Sequence, residues 1–322
     1  MNTTDQLDRL KVKDVFNDYT KRPFLYVYPD TKLIEVVTFL AIGPEIYVDG
    51  MVVVTEENHN GKRIQIPVGR IGGKNVLCSM LERTFDQQED FFRDRTASEI
   101  MVELTESDCV QLESPLSKVV SIFWRTRFAF VPIISTTKEY NTDKPIIIGT
   151  LSIRDFLPLI VNKKIHISSG EKEVSISQIS SPVESVNEDS TIKDTVTIMV
   201  KKGIRNIGIR SRDQNHEKQF NEKGKVKDMD SKLLYIVNDR KIMEFLLGHR
   251  KREEFNPIFS SINKLDIIRT HATRGDITII EAAQHLMEMK NQFLILEGNE
   301  HIITPWDLIM KTVGKGDSPY IQ

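Results

Sequence analysis

The chain has 322 residues, with 44 Lys and Arg against 46 Asp and Glu, which gives a formal net charge of −2. This balance excludes a protein whose whole surface is basic enough to coat nucleic acid, although a local basic patch remains compatible with it. The length predicts about two domains, each large enough to bury a core of its own.

Membrane and secreted classes are also disfavoured by the sequence. No apolar run approaches the roughly 20 residues that span a bilayer, and the first residues lack the basic and apolar segments of a signal peptide. The two cysteines, Cys78 and Cys109, are too few for a disulfide framework and fit a reducing compartment. We therefore expect a cytoplasmic protein that has no membrane partner.

A helical stripe, with apolar or small residues at positions i, i+3, i+4 and i+7, occurs four times along the chain. Each stripe follows a polar turn that can cap a helix. The stripes begin at Leu33, Leu116, Ile192 and Ile279. Recurrence at intervals of roughly 80 residues predicts an internal repeat.

Two short strands are predicted after each stripe, and a second helix after the strands. The first strands are expected at residues 129–134, 206–209 and 293–296, and at either 46–48 or 51–54 in the first repeat, whose register stays open. The second strands are expected at residues 64–68, 146–151, 233–237 and 302–303. A helix-strand-strand-helix unit of this size cannot bury both faces of its sheet, so the repeats should pair. The predicted fold class is α/β (α+β).

A polar segment at residues 162–173 predicts the boundary between two modules, 1–165 and 170–322. The first module would hold repeats at about 10–82 and 96–161, joined by a helix within 82–95. The second would hold repeats at about 174–248 and 262–314.

The junction between the second strand and the last helix carries the most specific pattern. The pattern consists of a small residue, two apolar residues, Ser or Thr, two variable residues and Asp, and it runs from Gly149 to Asp155 with Thr150 in the first apolar position. Repeat four ends in the similar Thr304-Pro305-Trp306-Asp307, whereas repeats three and one carry Lys241 and Asn75 in place of Asp. This pattern resembles the CBS domain, a family whose repeats occur in pairs called Bateman modules. The predicted layout, four CBS repeats in two Bateman modules, is similar to that of the nucleotide-sensing gamma subunit of AMP-activated protein kinase.

The resemblance implies a regulatory protein that binds an adenine nucleotide (AMP, ADP or ATP) in clefts between repeats. In the family the Asp accepts hydrogen bonds from the ribose diol, and the Ser or Thr hydroxyl and the first helix amides favour the phosphate. Asn75 could still bind a ribose, but Lys241 could not accept a hydrogen bond, so one competent site per module is expected. Related repeats also bind S-adenosylmethionine or cyclic dinucleotides. The implied nucleotide-binding residues are Ser152, Arg154, Asp155, Thr304, Trp306, Asp307, Arg205 and Arg127.

Two alternatives remain open. Ser-x-x-Asp is also an ordinary helix start, in which the hydroxyl and the carboxylate cap the first turn, so the repeats could form a structural module that binds no ligand. In either case a protein partner or a second copy of the chain could bind through the CBS faces.

The other alternative is RNA binding through a basic loop at residues 201–252. Residues 201–232 hold ten Lys and Arg against five Asp and Glu, and residues 249–252 read His-Arg-Lys-Arg. Such a loop could bind phosphates with a strong salt dependence, or it could simply be a solvated loop. Few aromatic residues accompany it, which disfavours base-specific recognition.

Catalytic and metal-binding motifs are not found in the sequence. The segment from Gly69 to Asn75 has too short a spacing for a phosphate-binding loop and lacks its Ser or Thr. The seven histidines show no metal-ligand spacing with one another or with either cysteine, and no nucleophile elbow is present. We therefore predict that the protein is not an enzyme and holds neither a metal nor a catalytic cofactor.

Overall fold

The computed structural model describes most of the chain: residues 3–19, 24–42, 48–59, 61–82, 91–136, 144–165, 168–169, 172–210, 233–249, 257–265, 268–269, 272–289, 293–298 and 300–313. Within these residues all four predicted repeats form, each as a helix, two antiparallel strands and a second helix.

The first two repeats are built alike. Repeat one contains β1 (Tyr26–Val27), α3 (Leu33–Ile42), β2 (Gly50–His59), β3 (Lys62–Gly72) and α4 (Gly73–Leu81). Repeat two contains β4 (Val102–Glu103), α6 (Leu116–Thr126), β5 (Phe130–Ser135), β6 (Ile146–Ser152), a 3-10 turn (Ile153–Phe156) and α7 (Leu157–Val161). Before them lie α1 (Thr3–Arg9) and α2 (Val12–Tyr19), and between them lies α5 (Phe91–Asp94).

The last two repeats follow the same plan. Repeat three contains β9 (Ser181–Pro182), β10 (Ser185–Asn187), α8 (Ile192–Lys202), β11 (Asn206–Arg210), β12 (Leu233–Asn238) and α9 (Asp239–His249). Repeat four contains β13 (Ile268–Arg269), β14 (Ala272–Thr273), α10 (Ile279–Glu288), β15 (Leu294–Leu296), β16 (His301–Ile303) and α11 (Pro305–Val313). A two-stranded hairpin, β7 (Ser168–Ser169) and β8 (Lys172–Glu173), lies in the segment predicted as the boundary.

The helical stripes predicted from the sequence are confirmed. Every one of their sixteen side chains is at least nine-tenths buried, and most are fully buried. They are Leu33, Val36, Val37 and Leu40; Leu116, Val119, Val120 and Phe123; Ile192, Thr195, Val196 and Met199; Ile279, Ala282, Ala283 and Leu286. The buried hydroxyl of Thr195 donates to the Thr191 carbonyl one turn earlier, which satisfies it within the helix.

In repeat one, the strand predicted at either 46–48 or 51–54 forms at residues 51–54, which lie in β2. Residues 43–47, which cover most of the other candidate, lie outside the described residues. β2 and β3 are longer than the sequence predicts, because their hairpin continues well beyond the core-facing part: exposed and half-buried side chains alternate from Thr55 to His59.

Five hydrophobic clusters among the described residues hold the repeats together. The two largest contain buried helix side chains and the strand side chains that face them: one joins repeats two and four, and the other joins repeats one and three. Three smaller clusters lie between sheets, two joining repeats one and two and one joining repeats three and four. Each repeat therefore packs its sheet against its sequence neighbour and its helices against a repeat of the other predicted module.

There is an exchange of connecting segments between neighbouring repeats: the segment that leads into one repeat packs on the other repeat of the pair. Leu116 of repeat two donates its amide to Leu10 of the N-terminal segment, and Leu33 of repeat one donates to Arg95 of the segment that leads into repeat two. The second half of the chain repeats this exchange, since Ile176 donates to Ile277 and Ile192 donates to Ser260. Each connector thus packs on the repeat that it does not directly precede.

Parts of two sequence predictions fall outside the described residues. For the joining helix within 82–95, only α5 is described, and residues 83–90 are not. Residues 211–232 and 250–252 of the basic loop also lie outside the described residues. Among the basic residues of that loop that are described, Lys202 pairs with Glu184. Across the described residues, none of the helices combines the length and the apolar character needed to cross a membrane.

Candidate functional site

The helix start of repeat two forms a capping box. The Ser152 amide donates to Asp155 Oδ2 at 2.7 Å, and the Arg154 amide donates weakly to Ser152 Oγ at 3.3 Å. Ser152 is 1% exposed and Asp155 is 6% exposed. The buried carboxylate therefore satisfies the first turn of the helix, and it is held at the edge of the junction between repeats.

Polar groups around this helix start donate hydrogen bonds to Asp49. It lies immediately before β2, and its side chain is 4% exposed. It accepts hydrogen bonds from Ser152 Oγ, from Arg154 Nη2 at 2.7 Å and from Arg205 Nη1 at 3.3 Å. Side chains from repeats one, two and three thus meet at one carboxylate.

Repeat three completes this charged cluster. Arg205 Nε and Nη2 donate to the two oxygens of Asp239 at 2.8 and 3.4 Å, and Arg240 Nη2 donates to the Val48 carbonyl at 2.6 Å. Asp239 lies against the first residue of α4, where a Cβ added to Gly73 would come within 2.3 Å of Asp239 Oδ2. Glycine at position 73 therefore allows repeats one and three to approach closely.

Repeat four forms a second polar group around Asp307, which is 5% exposed. Asp307 Oδ2 accepts from the Thr304 amide at 2.9 Å and from Thr304 Oγ1 at 2.7 Å. Asp307 Oδ1 accepts from Ser181 Oγ at 2.6 Å and pairs with Lys311 Nζ at 3.1 Å. Both carboxylate oxygens are engaged by groups of the chain itself.

The chain is similar to solved structures, and two of them match over 94% of it. Protein MJ1225 from Methanocaldococcus jannaschii, described as a candidate archaeal homologue of g-AMPK, is 14% identical, with a TM-score of 0.69 and 99% of its chain covered. An uncharacterized conserved protein from Pyrococcus horikoshii is also 14% identical, with a TM-score of 0.50 and 100% of its chain covered. A CBS domain-containing protein from Thermotoga maritima is 22% identical over 48% of this chain and 95% of its own, with a TM-score of 0.35. No family model and no curated protein matches the sequence.

The similarity to MJ1225 takes in all four repeats, because nearly the whole of both chains is covered. The chain has the CBS fold. Its repeats have the mixed α/β architecture that the sequence predicts, and the sheets of sequence-neighbouring repeats pack against each other.

Arg127 and Trp306 connect CBS repeats two and four. Arg127 ends α6 in a left-handed conformation, with φ of 60°, and its guanidinium carbon lies 4.3 Å from the ring centre of Trp124. The same carbon lies 6.0 Å from the ring centre of Trp306. An exposed cation stacked on aromatic rings is modestly stabilised, so this contact supports the packing of the two repeats.

The two CBS repeats that depart from the family pattern also cap their helices. In repeat one the Gly72 amide donates to Asn75 Oδ1 at 2.8 Å, which is the bond that Asp makes in repeats two and four. In repeat three the side-chain acceptor lies at the first position of the motif and the amide donor at the last, because the Lys241 amide donates to Asn238 Oδ1 at 3.0 Å. Lys241 Nζ points instead to Glu244, 2.8 Å away.

The structure therefore separates the sequence-predicted residues into two groups. Ser152, Arg154 and Arg205 converge on Asp49, with Asp155 at the same helix start. The second group lies at CBS repeat four and its contact with repeat two: Thr304, Trp306, Asp307 and Arg127.

Sequence reasoning missed Asp49, Asp239 and Arg240. One signal for Asp49 was present: it immediately precedes β2 of repeat one, as Arg205 immediately precedes β11, the corresponding strand of repeat three. The register of repeat one was open in the sequence, so this correspondence could not be used. Nothing in the sequence showed that the two positions would face each other.

A second buried charge cluster lies between CBS repeats one and two. Arg70 is 2% exposed, its guanidinium carbon lies 4.1 Å from the ring centre of Phe128, and its Nη2 lies 3.6 Å from Asp108 Oδ1. Arg125 Nη2 reaches the same oxygen at 2.8 Å. Among the described residues, Arg70 Nε and Nη1 have no hydrogen-bond partner, so Asp108 is the main compensation for this buried cation.

Replacing Asp108 with asparagine should lower the free energy of unfolding by about 1–3 kcal/mol at neutral pH, because Arg70 then loses its counter-ion. Burial raises the pKa of the Asp108 carboxyl, but the Thr105 hydroxyl and amide together with Arg70 and Arg125 outweigh it and hold the pKa below its usual value. The stabilisation from a lowered carboxyl pKa is complete above the unfolded-state value of about 4 and is lost as the pH falls through the folded-state value.

Urea denaturation at neutral pH and at pH values below 4 would measure this difference. The gap between the wild type and Asp108→Asn should close on acidification. Glu106→Gln removes an exposed carboxylate from the same turn and should leave stability nearly unchanged at both pH values. A gap that persists at low pH would show that Asp108 acts through packing and not through its charge.

A narrow cleft lies beside the Asp49 cluster, with room for about one water molecule. It is lined by Lys74, Leu77, Met199, Val200, Ile204, Arg205 and Asp239. Within the described part of the chain, no group of three or more His, Cys, Asp or Glu side chains is arranged to hold a metal ion.

Proposed function

We propose that the protein is a non-catalytic regulatory protein that binds an adenine nucleotide between its CBS repeats. The observation that carries this proposal is the convergence of Ser152, Arg154 and Arg205, from two different repeats, on a single anionic group. A hydroxyl and two guanidinium groups directed at one point are donors of the kind that bind a phosphate, and here they bind the carboxylate of Asp49. Ligand binding at such a junction would favour one arrangement of the repeats and so alter a surface that contacts a partner.

The two candidate sites differ in how many repeats contribute to them. At the helix start of repeat two, Arg154 meets Asp49 of repeat one and Arg205 of repeat three. At repeat four, Asp307 contacts Thr304 and Lys311 of its own repeat and Ser181 of repeat three. We therefore assign the main nucleotide site to the junction beside Asp155 and a weaker one to Asp307.

A thermal-shift panel of AMP, ADP, ATP, S-adenosylmethionine and cyclic di-AMP tests this proposal. A ligand at 100 times its Kd should add about 2.7 kcal/mol to the free energy of unfolding. For a chain of this size that corresponds to a rise in Tm on the order of 5 °C. We expect the rise with an adenine nucleotide, and we expect Asp155→Ala to abolish it or reduce it strongly.

Asp194→Ala is the matched control. Asp194 forms the same capping box at α8, since Asp194 Oδ2 accepts from Thr191 Oγ1 at 2.6 Å and the Asp194 amide donates back at 3.1 Å. Its side chain is exposed and belongs to neither candidate site. This variant should lose about 1 kcal/mol of stability through the cap and keep the full ligand response. A panel without any shift, or an equal loss of response in both variants, would refute nucleotide binding at Asp155.

A further inference from the structure

Asp49 places a negative charge inside the proposed nucleotide site. Its side chain is nearly inaccessible to solvent and lies where repeats one, two and three meet. An ionised carboxylate in such a place requires compensation by hydrogen bonds and cations. Asp49 has both, because Ser152 and Arg154 contact it from repeat two and Arg205 contacts it from repeat three.

These donors are the groups that a ligand phosphate would need. A guanidinium binds a carboxylate and a phosphate with similar geometry, so the two anions compete for the same N–H groups. The charged side chains at the junction are Arg154, Arg205 and Arg240 with Asp49, Asp155 and Asp239, and Lys74 lines the adjacent cleft. A phosphate that bound beside Asp49 would place two anions against the same guanidinium groups.

We propose that Asp49 acts as an internal anion that takes the place of a ligand phosphate and makes the site insensitive to the number of phosphates on the ligand. This inference rests on the proposed nucleotide binding. A phosphate that takes the Arg154 Nη2 and Arg205 Nη1 donors displaces Asp49 from them, and Asp49 then loses its compensation in a buried position. The phosphate of AMP therefore contributes little affinity, and recognition depends on the adenosine part of the ligand.

Isothermal titration of the wild type with adenosine and with AMP tests the first consequence, and it requires no variant. The two Kd values should agree within about threefold, because the Arg154 and Arg205 donors directed at the junction already donate to Asp49. A wild type that binds AMP more than about tenfold more tightly than adenosine would overturn the proposal, since an energy of that size is what a close charge pair supplies.

The isosteric variant Asp49→Asn tests the second consequence. It removes the charge and keeps an oxygen that can accept from Ser152. We expect the affinity for AMP to rise about tenfold or more, while the affinity for adenosine stays unchanged. The double variant Asp49→Asn with Arg154→Gln removes one cation as well and should bring the AMP affinity back toward the wild-type value.

Titration with pyrophosphate separates this inference from the proposed function. If Asp49→Asn binds pyrophosphate and the wild type does not, the internal anion is supported even where no nucleotide binds, and only the proposed function fails. If AMP binds equally well to the wild type and to Asp49→Asn, nucleotide binding stands and the inference is refuted. If neither protein binds AMP, adenosine or pyrophosphate, both are refuted. Should Asp49→Asn unfold on its own, recovery of its circular dichroism spectrum by pyrophosphate is the supporting result, and failure to recover is the refuting one.

Discussion

Replacement of Phe156 with alanine is expected to lower the free energy of unfolding by about 3–5 kcal/mol, the cost of removing a fully buried aromatic side chain. Phe156 is 0% exposed and lies directly after Asp155. Its ring contacts that of Phe123 edge to face, with 5.8 Å between ring centres and 66° between ring planes. Loss of the ring would leave a cavity and also break this aromatic pair.

The effect should extend through the whole chain, because the cluster that holds Phe156 includes the helices of repeat two and of repeat four. We therefore expect one cooperative unfolding transition that moves as a whole in Phe156→Ala, followed by circular dichroism in urea or by calorimetry. Phe39→Ala is the control, since Phe39 is 47% exposed on α3 and its removal should cost little. Two transitions, only one of which moves, would show that residues 1–165 and 170–322 unfold independently.

Replacement of Gly50 with alanine should destabilise the protein by about 3 kcal/mol through overpacking. A Cβ at this position would lie 2.1 Å from Phe130 Cε1 and 2.5 Å from the Ile71 carbonyl oxygen. The carbonyl belongs to the paired strand β3 and cannot move aside without breaking the ladder. Since Gly50 directly follows Asp49, the substitution should also disturb the Asp49 cluster.

Gly248→Ala provides the matched comparison. Gly248 lies in α9, where an added Cβ has nothing within 4 Å. Alanine there should be neutral or should stabilise by about 0.5–1 kcal/mol, because it lowers the entropy of the unfolded chain and favours the helix. Chemical denaturation of both variants measures their free energies of unfolding. Equal effects of the two substitutions would show that contact with Phe130 does not restrict position 50.

The elements of the fold could be predicted because each repeat shows its buried face in its own sequence. The stripe from Ile192 to Met199, for example, follows the helical period, and Thr191 marks the start of the helix. In repeat two the expected strand at 146–151 forms as Ile146–Ser152. The lengths of β2 and β3 were missed because the hairpin beyond the core has no buried face to reveal it.

The candidate site was only partly predictable, since its most specific local signature also serves as an ordinary helix cap. Thr278 and Glu281 form the same box at α10, outside either candidate site, as Thr191 and Asp194 do at α8. What distinguishes Ser152 is its bond to Asp49, which is 103 residues away in the chain. A contact of that kind depends on how the repeats pack against one another, and no local sequence pattern indicates it.

The exchange of connecting segments has a consequence for how the chain can be divided. A fragment that ends within residues 162–173 retains both connectors of the first two repeats together with the repeats on which they pack, and the remaining fragment does the same for the last two. A cut between repeats one and two, or between three and four, would remove from each repeat the connector that borders its first helix. Fragments divided at 162–173 would instead carry complete sheets and complementary apolar helix faces, the condition under which two separately expressed halves reassemble.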